Sequence, residues 1–150
     1  MIPRLLVATL LLAALPVLAH DARRSYITND RTAARAPLPF SEAVLVEGTL
    51  YVAGHIGLDP ATDQAAGNPE AEAHRVMDAV KATIEKAGFK MDDLVSVTVY
   101  CTDLALYDTF NGVYRTYFRD KYPARAFIGA GSLLRGAHFE VQGVAVKSAG

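Results

Sequence analysis

The sequence predicts one α+β domain in which two helices cover one face of a mixed β-sheet. The chain has 150 residues, of which 51% are apolar, and this is enough to bury one sizeable core. Its patterns follow the order hairpin, helix, strand, helix and two closing strands. Each helix carries one apolar stripe, whereas the strands carry apolar residues on both faces. A sheet that is covered on one face only would be incomplete as a monomer.

The first segment, residues 1–19, has the pattern of a secretory signal peptide. Arg4 supplies positive charge, residues 5–15 form an apolar run, and Ala19 stands at the expected cleavage position. Cleavage would leave a mature protein that begins at His20 and is periplasmic or secreted. The apolar run is short for a membrane span, so an uncleaved anchor is the less favoured alternative.

Residues 20–36 are polar and lack sustained periodicity, which predicts a flexible N-terminal arm. Within this arm, residues 25–28 alone have the pattern of a short edge strand. The folded domain is expected to cover residues 37–147.

The first elements of the domain have strong local signals. Residues 43–54 form two apolar runs around a Glu-Gly turn, as in a β-hairpin. Asn68 is a good helix N-cap before Pro69, and apolar residues spaced three and four apart predict one helix as far as Gly88. The apolar stripe of this helix consists of Ala73, Val76, Met77, Val80, Ile84 and Ala87.

The second half of the domain also has clear local patterns of strands and a helix. Residues 94–102 have the pattern of a strand, and a second helix opens at Asp103 or Leu104. Two final strands, expected to pair with each other, begin after Pro123 and at His138. The stripe of the second helix consists of Leu106, Phe110, Val113, Tyr114, Tyr117 and Phe118.

Arg125 is the first candidate for chemistry. It is the only charged residue between Lys121 and Arg135, in a stretch that reads as a strand. A guanidinium is charged at every working pH, and its fork of donors matches a carboxylate. The residue could therefore anchor a small acidic substrate, and the alternative is an ordinary solvated arginine on an exposed strand.

Three stretches of the sequence resemble the Rid proteins, the reactive intermediate deaminases of the YjgF type. They are residues 50–57, residues 94–118 and residues 122–146, the last of which contains the Pro-Ala-Arg motif of Arg125. The resemblance implies a chorismate-mutase-like Rid domain that forms a homotrimer, closing three sheets into a central β-barrel with sites in clefts between subunits. It also implies hydrolysis of reactive 2-imino or enamino acids to 2-oxo acids and ammonia, without a cofactor.

The resemblance also implies the residues of the site. Arg125 would bind the substrate carboxylate, and Gln142 stands where the family often has an acidic residue, so these two are the expected catalytic residues. Glu140 is the acid that the last strand retains. The implied substrate-binding positions are Phe40, Ala53, Gly54, Asn111, Arg125 and Phe127.

Four of these positions depart from the family pattern. Phe40 replaces a frequent Tyr, Ala53 a frequent Ser, Phe127 a frequent Cys and Gln142 a frequent acid. An amide oxygen can hold a water but cannot accept its proton, and the phenylalanines make the pocket more apolar. We expect either weaker deaminase activity or a preference for a larger, aromatic substrate.

Other classes of function have weak signals. With 15 Lys and Arg against 16 Asp and Glu, the chain lacks the basic surplus of a nucleic-acid or membrane partner, so an endoribonuclease ranks last. The four histidines lack ligand spacing, which predicts no metal site. Cys101 is the only cysteine and is expected to be a small core residue. The remaining alternative to a deaminase is a non-catalytic trimer that binds small carboxylates or client proteins.

Overall fold

The computed structural model describes residues 23–28, 38–59, 61–65 and 67–147, and the predicted signal peptide lies outside them. The described residues form an α+β fold, as predicted. Three short 3₁₀ turns, Met91–Asp93, Leu104–Leu106 and Leu134–Gly136, connect the main elements. These elements are β1 (Arg24–Ile27), β2 (Ala43–Val46), β3 (Thr49–Ile56), α1 (Pro69–Lys86), β4 (Leu94–Cys101), α2 (Tyr107–Arg115), β5 (Ala124–Gly129) and β6 (Phe139–Val146).

The six strands form one mixed sheet in the order β1-β2-β3-β6-β4-β5. All neighbours are antiparallel except β4 and β5, which are parallel because α2 carries the chain back between them. The expectation that the last two strands pair with each other is wrong. Strand β6 lies between β3 and β4 and buries Phe139, Val141 and Ala145, whereas the more exposed β5 occupies the edge.

Strand β1 lies within the segment that was expected to be a flexible arm. Its four residues pair antiparallel with β2, so the short edge strand indicated by residues 25–28 is present. Ile27 of this strand is buried, which explains why this piece of a polar segment joins the sheet. The expectation of a flexible arm is therefore corrected for Arg24–Ile27, and residues 20–22 and 29–36 lie outside the described residues.

The local signals of the hairpin and of α1 are confirmed. Glu47 and Gly48 both have positive φ, 47° and 79°, as a two-residue type I′ turn requires. The Oδ1 atom of Asn68 accepts hydrogen bonds from the amides of Glu70 and Ala71 at 2.9 and 3.2 Å. Gly88 follows the helix, and its left-handed backbone conformation, with φ 77°, ends it.

Both helices pack on the same face of the sheet, and the opposite face is open in the described part of the chain. The core lies between the helices and the sheet and includes Leu50, Met77, Ile84, Val99, Phe110, Phe139 and Val141. Across the open face, the strand register places one row of residues over all six strands: Tyr26, Val44, Tyr51, Val144, Ser96 and Ala124. Tyr51 is 53% exposed there, so an apolar sheet face remains without a partner in one chain.

Neither helix of the described part combines the length and the apolar character needed to cross a lipid bilayer.

Candidate functional site

Arg125 lies on the edge strand β5 and points towards the helices. Its register partner on β4 is Val97, which is buried under the helical layer, and paired residues of a sheet share a face. The guanidinium therefore enters the space between β5 and α2, where it is half-buried. It is not an ordinary solvated arginine.

Three residues of α2 face this guanidinium because their spacing of four and three places them on one side of the helix. Nη2 of Arg125 donates to Oδ1 of the buried Asn111 at 2.7 Å. The Cζ atom lies 4.6 Å from the ring centroid of Tyr114 and 5.8 Å from that of Tyr107. On β5 itself, the ring of Phe127 lies 5.6 Å from Cζ. An amide and three rings thus fix the position of the cation.

The surroundings of Arg125 are poor in compensating charge. No carboxylate within the described ranges forms a salt bridge with it, and the other guanidinium N–H groups remain available to a ligand. Burial raises the pKa of Tyr114 to about 12, although the positive charge of Arg125 opposes this shift. The Tyr114 hydroxyl is buried without a hydrogen-bond partner in the described residues. The cleft therefore offers a cation and neutral groups, which suits an anionic ligand.

Gln142 lies on the opposite face of the sheet. It pairs with Thr98 on β4, one register position from the buried Val97, and so points to the open face. Its Nε2 donates to the hydroxyl of Tyr100 at 3.4 Å. Together with Tyr51, Ser96 and Thr98 it lines a shallow depression of about 190 Å³.

Glu140 is the carboxylate that accompanies Gln142 on the open face. It pairs with Tyr100 on β4 and with Ile56 on β3. A Cβ atom at Gly54 would lie 3.0 Å from Cδ of Glu140 and would overlap Oε1, so the glycine makes the space for this carboxylate. An irregularity of β3 between Val52 and His55 brings Gly54 to this place. The Glu140 side chain is half-buried, and its carboxylate has no hydrogen-bond partner among the described residues, so both of its oxygens can accept from a ligand or a water.

The expected site residues therefore fall into three places in one chain. Arg125, Asn111 and Phe127 meet in the cleft between β5 and α2. Gly54 and Gln142 belong to the open face, and Ala53 precedes Gly54 in the irregular part of β3. Phe40 is 57% exposed just before β2, towards the other edge of the sheet. Within one subunit the side chains of Arg125 and Gln142 point to opposite faces of the sheet, and their joint action in a cleft between subunits stays a prediction.

A buried carboxylate on α1 escaped the sequence reasoning. From the sequence, Glu72 is an acidic residue in the first turn of α1, where a negative charge interacts favourably with the helix dipole. In the structure its side chain is fully buried. It accepts hydrogen bonds from the amides of His138 and Phe139 at 2.6 and 2.9 Å and lies 2.8 Å from Nδ1 of His138. Gly57 permits this approach because a Cβ there would lie 3.0 Å from Cγ of Glu72. Glu72 therefore connects α1 to the start of β6.

Two other titratable groups lie on the helical face of the sheet. Cys101 is buried, as expected, and burial raises the pKa of its thiol. Burial lowers the pKa of His55 from 6.5 to about 4, and its Nε2 has no partner in the described residues. Within the described ranges, no group of three or more His, Cys, Asp or Glu side chains is arranged to hold a metal ion.

The chain is similar to known proteins over most of its length. The profile of the family described as Endoribonuclease L-PSP matches residues 30–147. The 2-iminobutanoate/2-iminopropanoate deaminase of Homo sapiens is 34% identical over 110 residues, which cover 73% of this chain and 80% of that protein. The structure of RidA from the Antarctic bacterium Psychrobacter sp. is 32% identical with a TM-score of 0.70, covering 75% of this chain and 91% of that one.

A further solved structure, TdcF of E. coli with bound serine, is 27% identical with a TM-score of 0.74 and covers 83% of this chain and 100% of that one. Fold, sequence profile and identity agree over most of the described residues. The chain therefore belongs to the Endoribonuclease L-PSP family, which is the Rid/YjgF family that its motifs resemble.

Proposed function

We propose that this chain is a Rid-type deaminase that hydrolyses reactive 2-imino acids to 2-oxo acids and ammonia. The observation that carries the proposal is the half-buried Arg125, fixed by Asn111 and aromatic rings with N–H donors left for a carboxylate. The name of the human relative, a 2-iminobutanoate/2-iminopropanoate deaminase, supports the same reaction.

Arg125 would bind the carboxylate of the imino acid. A guanidinium–carboxylate pair can form two parallel hydrogen bonds, which fix the orientation as well as the position of the substrate. The neighbouring α-carbon then stands at a defined distance from the cation. Since a protonated imine is already electrophilic, orientation supplies a large part of the required acceleration.

Glu140 is the group on the open face that can accept a proton from water. The water oxygen adds to the imine carbon while its proton moves to the Glu140 carboxylate. That proton then passes to the nitrogen of the tetrahedral adduct. As the carbon–nitrogen bond breaks, the hydroxyl oxygen gives its remaining proton to Glu140 and becomes the carbonyl of the 2-oxo acid, and the departing ammonia takes up this proton as ammonium. Gln142 remains a predicted catalytic residue, and its amide can orient the water without taking the proton.

The two halves of this chemistry require a second copy of the chain. Arg125 faces the helical side of β5, whereas Glu140 and Gln142 face the open side of the sheet. Copies that associate through their open apolar faces would bury Tyr51 and its neighbours, and could bring the β5 edge of one subunit to Gly54 and Glu140 of the next. We propose the homotrimer that the family resemblance implies, with Phe40 on the rim of the shared cleft.

The activity test follows imine decay. An amino-acid oxidase generates the imine, semicarbazide traps what remains, and purified protein should lower the trapped amount. Arg125→Ala should reduce kcat/KM by about 30-fold to several thousand-fold, the cost of a buried charge-assisted contact. Arg125→Lys keeps the charge but loses the fork, so it should retain part of the activity at most. Equal imine hydrolysis by wild type and Arg125→Ala would instead favour a carboxylate-binding module.

The assembly test uses light scattering on the same preparations. The mass should be three times that of one subunit for wild type and for both Arg125 variants. A monomer that hydrolyses imines at micromolar concentration would contradict the shared site.

We also propose that the protein is exported and that the mature chain begins at His20. The support is the charged, apolar and small-residue order of residues 1–19. N-terminal sequencing of the natural protein decides the point, and a soluble form that retains Met1 would contradict it.

A further inference from the structure

Aromatic rings wall the cleft that holds the carboxylate anchor. Tyr107 and Phe127 form an edge-to-face pair with centroids 5.0 Å apart, and both rings lie within 6 Å of the Arg125 Cζ atom. Phe127 also packs against Phe110 of the core at 5.7 Å, which fixes its ring. The wall is therefore rigid on its inner side.

The rings differ in how much of their surface a ligand can reach. Tyr114 is only 3% exposed, so its ring contacts the guanidinium from the core side and is not accessible to a ligand. Tyr107 stands at the first position of α2 and is 45% exposed, although it lies beside a half-buried cation. An exposed ring at this place has apolar surface that is not used in the core of one chain.

The aromatic wall lies within reach of the side chain of an aromatic imino acid. In a bidentate arginine–carboxylate pair the carboxylate lies directly against the guanidinium, so the α-carbon and the side-chain ring of the ligand extend outwards from Cζ of Arg125. The centroids of Tyr107 and Phe127 lie at 5.8 and 5.6 Å from the same atom. Ring centroids that are separated by about 4.5 to 7 Å attract one another in offset or edge-to-face geometry. A methyl or ethyl side chain would leave this surface uncovered.

We infer that the preferred substrates are 2-imino acids with an aromatic side chain, and that Tyr107 is a residue that determines this specificity. The inference rests on the proposed deaminase function and adds the substrate class to it. Arg125 binds the carboxylate that all 2-imino acids share, whereas the Tyr107–Phe127 wall distinguishes their side chains.

The test compares two imines that an amino-acid oxidase makes from phenylalanine and from alanine. Wild type should hydrolyse the aromatic imine with the higher kcat/KM, and Tyr107→Ala should reduce the aromatic-to-aliphatic ratio by about 10-fold, as the loss of one aromatic contact predicts. Tyr107→Phe keeps the ring and should keep the ratio. Leu134→Ala removes another exposed apolar side chain, one in the turn between β5 and β6 that is 76% exposed, and should also keep it.

The outcomes separate this inference from the function on which it rests. If neither imine is hydrolysed, the deaminase proposal fails. If wild type treats the two imines equally, or if Tyr107→Ala leaves the ratio unchanged, the deaminase proposal stands and the aromatic specificity assigned to Tyr107 is overturned. Using a ratio for each variant cancels differences in the amount of folded enzyme.

Discussion

Gly54→Ala tests whether the Glu140 carboxylate performs the chemistry, through a change of one methyl group. The new Cβ would lie 3.0 Å from Cδ and 3.3 Å from Cγ of Glu140, and would overlap Oε1. To restore ordinary carbon–oxygen contact, the carboxylate must move by about 1 Å or more. Misplacement of a reacting group by about 1 Å can cost roughly 100-fold in rate, so kcat for imine hydrolysis should fall by about that factor.

The same change should have little effect on folding. The displaced atoms belong to the end of a flexible side chain, and Gly54 does not have a positive φ. We therefore expect the free energy of unfolding to change by less than about 1 kcal/mol, as for other Gly→Ala changes at compatible backbone positions. Gly67→Ala is the matched control because its Cβ would meet nothing within 4 Å, and it should alter neither rate nor stability.

A double-mutant cycle completes the experiment. Glu140→Gln removes the proton acceptor and should itself lower kcat by about 100-fold or more. If Gly54 acts only by making room for the carboxylate, adding Gly54→Ala to Glu140→Gln should cost no more than about 2-fold, because coupled residues are not additive. Full additivity of the two losses, or a Gly54→Ala enzyme with wild-type kcat, would refute this account of Glu140.

The remaining predictions concern stability. Glu72→Gln should lower the free energy of unfolding in urea by about 2 to 3 kcal/mol, because the fully buried carboxylate faces three nitrogen donors and an amide replaces one of its two acceptor oxygens by a donor. Glu70→Gln in the same helical turn should be neutral. An equal effect of both changes would contradict the burial argument. The pKa of His55 falls from 6.5 in the unfolded chain to about 4 in the folded one. The unfolded state therefore binds the extra proton, and stability should decrease by about 3 kcal/mol as the pH falls from 6.5 to 4. In His55→Gln this dependence should become weaker over the same pH range, and an unchanged slope would assign it to other groups.

Several features followed from the sequence because their causes are local. The type I′ turn requires two residues that tolerate positive φ, and the Glu-Gly pair at 47–48 supplies them. The start of α1 depends on the side chain of Asn68 and the fixed φ of Pro69, which are neighbours in the chain. Arg125 was recognisable as a candidate site residue because it is the one charge in an apolar strand within a family motif.

The tertiary structure alone decided how the parts of the site are arranged. The insertion of β6 between β3 and β4 depends on contacts between residues far apart in the chain, and no short pattern encodes it. The same register places Arg125 and Gln142 on opposite faces, since a shift of one residue reverses the face of every side chain in a strand. The irregularity of β3 that sets Gly54 beneath Glu140, and the approach of α1 at Gly57 that buries Glu72, likewise arise from packing between elements. Local sequence thus determined most of the elements and singled out Arg125, whereas the long-range pairing of strands decided which of these residues share a face of the sheet and where the Glu140 carboxylate lies.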